Sequence, residues 1–255
     1  MAFPTFGAQV GLPTILPNLF VPILFERTRN TFINSTDYHD FCEFLTGSAG
    51  QQSYTPVTVS DSLEIVSNSA NDTAAGTGTR TVGIAYLNAA GEWSEATVTM
   101  NGTTPVSVPI AATAINFMHA KTGGSLQTSA GTINLRNVAT PTILYEQIAA
   151  GGNMSQSGRF TVPAGYYAVV HDYIVSAQSQ PVEVKIRALQ NPFDQSANNR
   201  WLFKKGFKIA ADNYIRGQFS NFYLAAGQSL KVSGIPDATQ NGRVFGSLEI
   251  ELVKL

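Results

Sequence analysis

Residues 182–188 read Val-Glu-Val-Lys-Ile-Arg-Ala, and residues 248–252 read Leu-Glu-Ile-Glu-Leu. In both runs apolar and charged side chains alternate strictly. A strand turns successive side chains to opposite faces, so this spacing gives one dry and one wet face, whereas a helix would mix them. The same period of two recurs at Val57/Val59, Leu63/Ile65, Val82/Ile84/Tyr86 and Ile133/Leu135. Turn chemistry separates these runs, at Asn71-Asp-Thr-Ala-Ala-Gly-Thr-Gly, Asn88-Ala-Ala-Gly, Asn101-Gly, Thr122-Gly-Gly, Pro163-Ala-Gly and Ala225-Ala-Gly-Gln. Gly and Asn there accept backbone angles that other residues resist. Half-buried strands divided by such turns predict an all-β chain of sandwich or barrel type.

A chain of 255 residues suits two domains of ordinary size. The run Ala149-Ala-Gly-Gly-Asn-Met-Ser marks the seam between them. The organisation this predicts is an extended apolar arm with one short helix over residues 1–46, a first β-sandwich unit over 47–148 and a second over 149–255, both jelly-roll-like.

The arm rests on residues 10–25, VGLPTILPNLFVPILF, where Pro13, Pro17 and Pro22 cut the most apolar window of the chain. Each proline removes a donor and costs roughly 3 kcal/mol or more inside a helix, so the pieces are too short to span a bilayer and no membrane partner is expected. Leu12, Ile15, Leu16, Leu19, Phe20, Val21, Ile23, Leu24 and Phe25 are nonetheless too apolar for a solvated tail, since burial of each gains about 1.5–3 kcal/mol. They are expected to bury in a partner chain. After the arm, Ser35 to Gly47 reads as a short helix: Ser35 caps it, Gly47 stops it, and Tyr38, Phe41, Cys42 and Leu45 fall on one face.

Charged residues make up only 13% of the chain, and Thr, Ser, Asn, Gln and 22 Gly cover the surface instead. Sixteen basic against 17 acidic residues give a net charge of −1, without the basic tract that phosphate binding needs, so nucleic acid is not an expected partner. Lys204-Lys-Gly-Phe-Lys with Arg200 is the one basic concentration, and it suits a surface or interface role. The single Cys42 excludes an intramolecular disulfide framework. Cytoplasmic synthesis fits the lone thiol and is the expectation; Met1 to Gly11 holds no Lys or Arg of the kind that opens a secretory signal, and Asn34, Asn71, Asn101 and Asn153 are expected to be loop residues rather than glycan acceptors.

No enzyme signature emerges. His39 and Glu43 have metal-ligand spacing, but two ligands hold a metal weakly and the pair reads as a solvated face. Cys42 reads as a small core residue beside Tyr38 and Leu45. His119 and His171 have no Gly-x-Ser-x-Gly elbow or adjacent carboxylate pair and read as strand or interface histidines. The Gly76-Thr-Gly78 loop lacks the following Lys of a phosphate cradle and joins two strand patterns, so it reads as a hairpin turn. No catalytic residue, cofactor or metal is expected. Tyr166, Tyr167, Trp201, Phe203 and Phe207 lead an aromatic set, with Tyr173, Tyr214, Phe219, Phe222 and Tyr223, that fits either a core and subunit interface or a stacking platform for sugar rings.

Three segments carry a family resemblance. Asn68-Ser-Ala-Asn-Asp-Thr-Ala-Ala-Gly-Thr-Gly-Thr-Arg-Thr-Val, then Tyr86-Leu-Asn-Ala-Ala-Gly-Glu, then Ala96-Thr-Val-Thr-Met-Asn-Gly-Thr-Thr-Pro-Val, resemble in order and spacing a module of tailed-bacteriophage virion proteins. Asn88 stands where that family often has Asp, and Trp93 where a polar residue is usual. Arg159-Phe-Thr-Val-Pro-Ala-Gly-Tyr-Tyr-Ala and Val182-Glu-Val-Lys-Ile-Arg-Ala extend the resemblance through the second unit. It implies a particle protein made in the host cytoplasm and carried in the virion: a capsid decoration, cement or head-spike protein, or else a tail or adaptor part, or a receptor- or glycan-binding component. The partners it implies are further copies of the chain, as a trimer, and the major capsid protein or tail proteins.

Overall fold

A computed structural model describes residues 19–27, 39–40, 55–178, 181–189, 201–236 and 242–255. All the regular structure in these residues is β. The first nine strands are β1 (Leu19–Arg27), β2 (His39–Asp40), β3 (Leu63–Ser67), β4 (Thr79–Leu87), β5 (Trp93–Thr99), β6 (Val106–Val108), β7 (Ala114–Gly123), β8 (Ile133–Asn137) and β9 (Leu144–Ile148). The rest are β10 (Arg159–Thr161), β11 (Tyr166–Gln178), β12 (Val182–Leu189), β13 (Trp201–Ile209), β14 (Asn213–Gln218), β15 (Tyr223–Leu224), β16 (Ser229–Pro236) and β17 (Gly242–Lys254).

They form four antiparallel sheets. Two are β6-β3-β8-β9 and β5-β4-β7, and their residues build one apolar cluster that includes Leu63, Ile65, Val82, Ile84, Ile115, Met118, Ile133 and Leu135. The other two are β1-β17-β11-β14, with β15 also on β11, and β10-β16-β12-β13, with β2 also on β16. Their inward residues build a second cluster from Val170 and Val175 of β11, Val184 and Ile186 of β12, Val232 of β16 and Leu248 of β17. The alternation read in the sequence explains these faces. Val182, Val184, Ile186 and Ala188 are each 0% exposed while Glu183 is exposed, so β12 has the expected dry and wet sides.

Two expectations change at the N-terminal end. The helix expected from Ser35 to Gly47 is corrected at His39 and Asp40, which are extended and pair with Gly234 and Ser233; the rest of that segment lies outside the described residues. The edge of β16 offers unpaired backbone donors and acceptors there, and satisfying them overrides a weak local helical pattern. The arm is extended, as expected, over Leu19 to Arg27. Its backbone partner, however, is β17 of the same chain, in nine consecutive pairs from Leu19 opposite Ile250 to Arg27 opposite Gly242. Leu12, Ile15 and Leu16 lie outside the described residues. Pro22 is tolerable in β1 because β1 is an edge strand: with no further strand on its outer side among the described residues, the missing N–H can fall on the unpaired edge.

Candidate functional site

The outer face of the β1-β17-β11-β14 sheet carries an apolar strip, with the row Glu26–Arg243–Gln178 on one side of it. Ser176 of β11 stands opposite Phe245 of β17 on one side and Tyr214 of β14 on the other, and the next outward position of β11 is Ile174, between Ser247 and Arg216. Phe245 and Ile174 are each 40% exposed and Tyr214 is 68% exposed, so three large apolar side chains on adjacent strands meet solvent together. The register continues this strip onto β1, where Leu24 is opposite Phe245 and Pro22 opposite Ser247. Beyond it the face turns polar. Arg216 Nη2 lies 3.3 Å from Asp172 Oδ2, and His171 Nε2 lies 2.7 Å from Glu251 Oε2. These are exposed pairs of the kind that contributes about 0–1 kcal/mol. The carboxylate partner of His171 lies far downstream, beyond the reach of local spacing.

The aromatic set divides between core and surface. Phe207 stacks on the buried Tyr173 with centroids 4.8 Å apart, and Phe219 and Phe222 continue that cluster. Tyr166 packs against the same core. Tyr167 and the exposed Tyr223 form a tilted pair, 6.3 Å apart, at the far end of the outer face. Phe203 is 61% exposed on the opposite sheet, its ring lying over Gly206 where any Cβ would crowd it. Trp201 begins β13, and only its backbone is described. No common platform joins the described rings Tyr166, Tyr167, Phe203 and Phe207.

The glycine-rich seam is clamped. Ala120 N donates to Asn153 O at 2.7 Å, Ser155 N donates to Met118 O at 2.9 Å, and Met118 N donates to Ser155 Oγ at 2.8 Å, so the seam runs as an added strand segment along β7. Asn116 then imitates a backbone: its Nδ2 donates to Thr161 O at 3.0 Å and its Oδ1 accepts from Thr161 N at 2.9 Å. Next to it Arg159 Nη2 lies 3.5 Å from Glu146 Oε1 and donates to Ile115 O, and Ser157 Oγ donates to the same Glu146 oxygen at 2.8 Å. Glu146 is 0% and Arg159 5% exposed, so a buried ion pair joins β9 to β10 across the two cores.

The first two segments quoted for the family resemblance hold the parts of two turns, whereas Val182 to Ala188 lies within strand β12. Asp72 is fully buried, and its Oδ1 accepts from Thr79 N and Ala130 N, both at 2.8 Å. Its Oδ2 accepts from Ser67 Oγ at 2.6 Å and Gly131 N at 2.9 Å. Gly78 must be glycine, because a Cβ there would collide with the Asp72 carboxylate and with Ala130. Asn88 Oδ1 accepts from Ala90 N and Glu92 N, its Nδ2 donates to Glu92 Oε2 at 3.1 Å, and the backbone bonds from Asn88 N to Glu92 O and from Gly91 N to Asn88 O close the same hairpin.

His119 sits half-buried on the outer face of β7. Its ring covers Gly83, lies 5.9 Å from Phe117, and is bridged through the backbone by Met154. Burial pushes its pKa down; Glu95 opposes that shift and Lys121 adds to it. In the unfolded chain the imidazole takes a proton near pH 6.5, and in the fold only at lower pH. His119 is therefore expected to cost no stability above about pH 6.5 and to destabilise progressively as pH falls through its folded pKa. Urea unfolding at pH 7.5 and pH 5 checks this: His119→Phe should show a smaller loss between the two than the wild type, and an equal loss would exclude His119 as the cause. Among the described residues, no three His, Cys, Asp or Glu side chains are grouped to hold a metal ion.

No family model matches the chain, and no curated protein is similar to it. Distant likenesses occur among solved structures. A chain from naturally occurring empty particles of cowpea mosaic virus is 7% identical, covering 80% of this chain and 88% of that one, with a TM-score of 0.22. A chain from the infectious bursal disease virus Gx strain is 9% identical over 93% of this chain and 71% of that one, with a TM-score of 0.26. TmCBM61 in complex with β-1,4-galactotriose is 12% identical and has a TM-score of 0.22; the match covers 49% of this chain and 64% of the TmCBM61 chain's length.

Proposed function

We propose that this chain is a non-enzymatic structural component of a virus particle, built as two β-sandwich units locked into one body. The narrower reading is a bacteriophage head decoration, cement or spike protein that joins neighbouring subunits as a homotrimer on the capsid shell. The observation that carries it is the strip of Phe245, Ile174 and Tyr214 on the outer sheet face, because exposed apolar side chains grouped on adjacent strands mark contact surfaces. The clamped seam suits mechanical work, since it leaves no loose joint between the cores. The exposed Tyr167–Tyr223 pair favours a second reading, glycan binding by ring stacking, which a glycan array with Tyr223→Ala as control would reveal.

Mass spectrometry of purified particles tests the main reading, with the chain expected at copy numbers typical of a shell protein. Deleting residues 1–18 sharpens the test, since it removes Leu12, Ile15 and Leu16 but leaves β1 on its sheet. The β spectrum should be unchanged and incorporation should fall at least about tenfold, because burial of three such side chains at about 1.5–3 kcal/mol each exceeds the roughly 1.4 kcal/mol that a factor of ten needs. Full incorporation of the truncated chain would mean that the sheet faces alone carry attachment.

A further inference from the structure

We propose that the apolar strip of the outer face, formed by Ile174, Tyr214 and Phe245, is the docking site for residues 10–18 of a second copy of this chain. The inference rests on the reading of the chain as an assembling particle component and names the contact.

The first argument is chemical fit. Residues 1–25 contain no Asp, Glu, Lys, Arg or His, and residues 10–18 carry Val10, Leu12, Ile15 and Leu16. The two rows of the receiving strip, Phe245–Ser176–Tyr214 and Ser247–Ile174–Arg216, hold no carboxylate; the flanking rows are charged, with Asp172 and Glu249 on one side and Glu26 opposite Arg243 on the other. An apolar segment laid there desolvates one charge, that of Arg216, whose ion-pair partner Asp172 stands one row away.

The second argument is the composition of β1 itself. LFVPILF is apolar at both strand parities, the pattern of a strand covered on both faces rather than on one. One parity is in register with Val244, Leu248 and Ile250, which are all 0% exposed. The other parity is in register with Phe245, Ser247 and Glu249, on the side where Phe245 is 40% exposed. The described chain thus supplies cover for one face of this sheet, and the composition of β1 calls for cover on the other.

Geometry favours a second copy over the chain's own arm. β1 enters the sheet at Leu19, opposite Ile250, and reaches the rows of the strip at Pro22, opposite Ser247, and Leu24, opposite Phe245. The arm would have to reverse immediately before Leu19 to lie on its own strip. A residue before proline is biased against helical backbone, so the sequence at Leu12-Pro13 and Leu16-Pro17 disfavours a tight helical reversal there. Fully extended, residues 10–18 reach at most about 32 Å from Leu19, so the receiving strip of the second copy must lie within that distance of the start of β1.

Crosslinking in the full-length oligomer tests the proposal. In a Cys42→Ser background, Thr14→Cys is placed on one tagged copy and Ser176→Cys on a differently tagged copy, and the two are mixed, assembled and oxidised. The expected product is a covalent species of two chains bearing both tags, lost when Phe245→Glu is added to the receiving copy. A chain carrying both cysteines that closes only within itself would overturn the proposal, as would a monomeric protein at all concentrations or an oligomer that forms with no crosslink. These outcomes are separable from the particle reading. Crosslinked oligomers absent from virions would defeat that reading and leave the contact intact, whereas uncrosslinked oligomers present in virions would do the reverse.

Discussion

Asp72→Ala is expected to destabilise the first β unit by at least about 3 kcal/mol. The carboxylate accepts from three backbone N–H groups, those of Thr79, Ala130 and Gly131, and from the Ser67 hydroxyl, all inside a fully buried site. Alanine removes every acceptor at once, and each orphaned donor costs about 1–3 kcal/mol unless water reaches it. Water has little room, since Gly78 already touches the carboxylate and Gly124 packs so tightly on Gly76 and Thr77 that neither position tolerates a Cβ. Asp72→Asn should fall between: its oxygen can still serve two donors, but its amide turns N–H groups toward Gly131 N or Thr79 N. Urea unfolding of the three proteins should rank them Asp, Asn, Ala. A loss under about 1 kcal/mol for alanine would mean that the loop relaxes and finds other acceptors.

The role of Asp72 was only half visible in the sequence. An acid four residues before Gly76-Thr-Gly78, in a run of small residues and without a following Lys, signals a turn rather than a phosphate cradle. What the run does not reveal is that Ala130 and Gly131, which also bind the carboxylate, arrive from a loop far downstream. Strand identity was legible for the opposite reason. The alternation in β12 is a local property, and burial follows it residue by residue; in β17 Leu248 and Ile250 are buried as the pattern predicts, while Leu252 is only partly so.

Parity arguments fail where the ladder slips. Phe203 and Phe207 lie four residues apart, which in a regular strand places them on one face. The register of β12 with β13 shifts between Ile186 and Arg187, so Phe207 is opposite Val184 on the buried side while Phe203 is opposite Arg187 on the exposed side. One extra residue, a β-bulge, separates a core ring from a surface ring. The seam was misleading in another way. Its Gly-Gly pair suggests a loose linker, whereas the polar residues just after it, Ser155, Ser157 and Arg159, are buried and make the contacts that fix the joint. The extended form of the arm could be read from its prolines, but its pairing with β17 could not, because nothing local in LFVPILFER specifies a partner at the other end of the chain.

The buried pair at that joint makes the second large prediction. Arg159→Met takes away a cation of the buried cluster around Glu146, a carboxylate with 0% exposure that keeps its bond from Ser157 Oγ, and also the donor to Ile115 O. Removing one member of a buried ion pair typically costs about 3–5 kcal/mol, because the remaining charge is left in a medium that solvates it poorly. Replacing both members, as Arg159→Met with Glu146→Leu, should recover much of that loss, since an apolar pair of similar volume is often nearly neutral. The loss should also be localised. Arg159, Asn116 and Ser155 tie one core to the other, so the wild type is expected to unfold in a single calorimetric transition and Arg159→Met to split it into two, with the double variant intermediate. One undivided transition at the wild-type temperature in Arg159→Met would show that the Asn116–Thr161 clasp and the β7 seam couple the units without the ion pair.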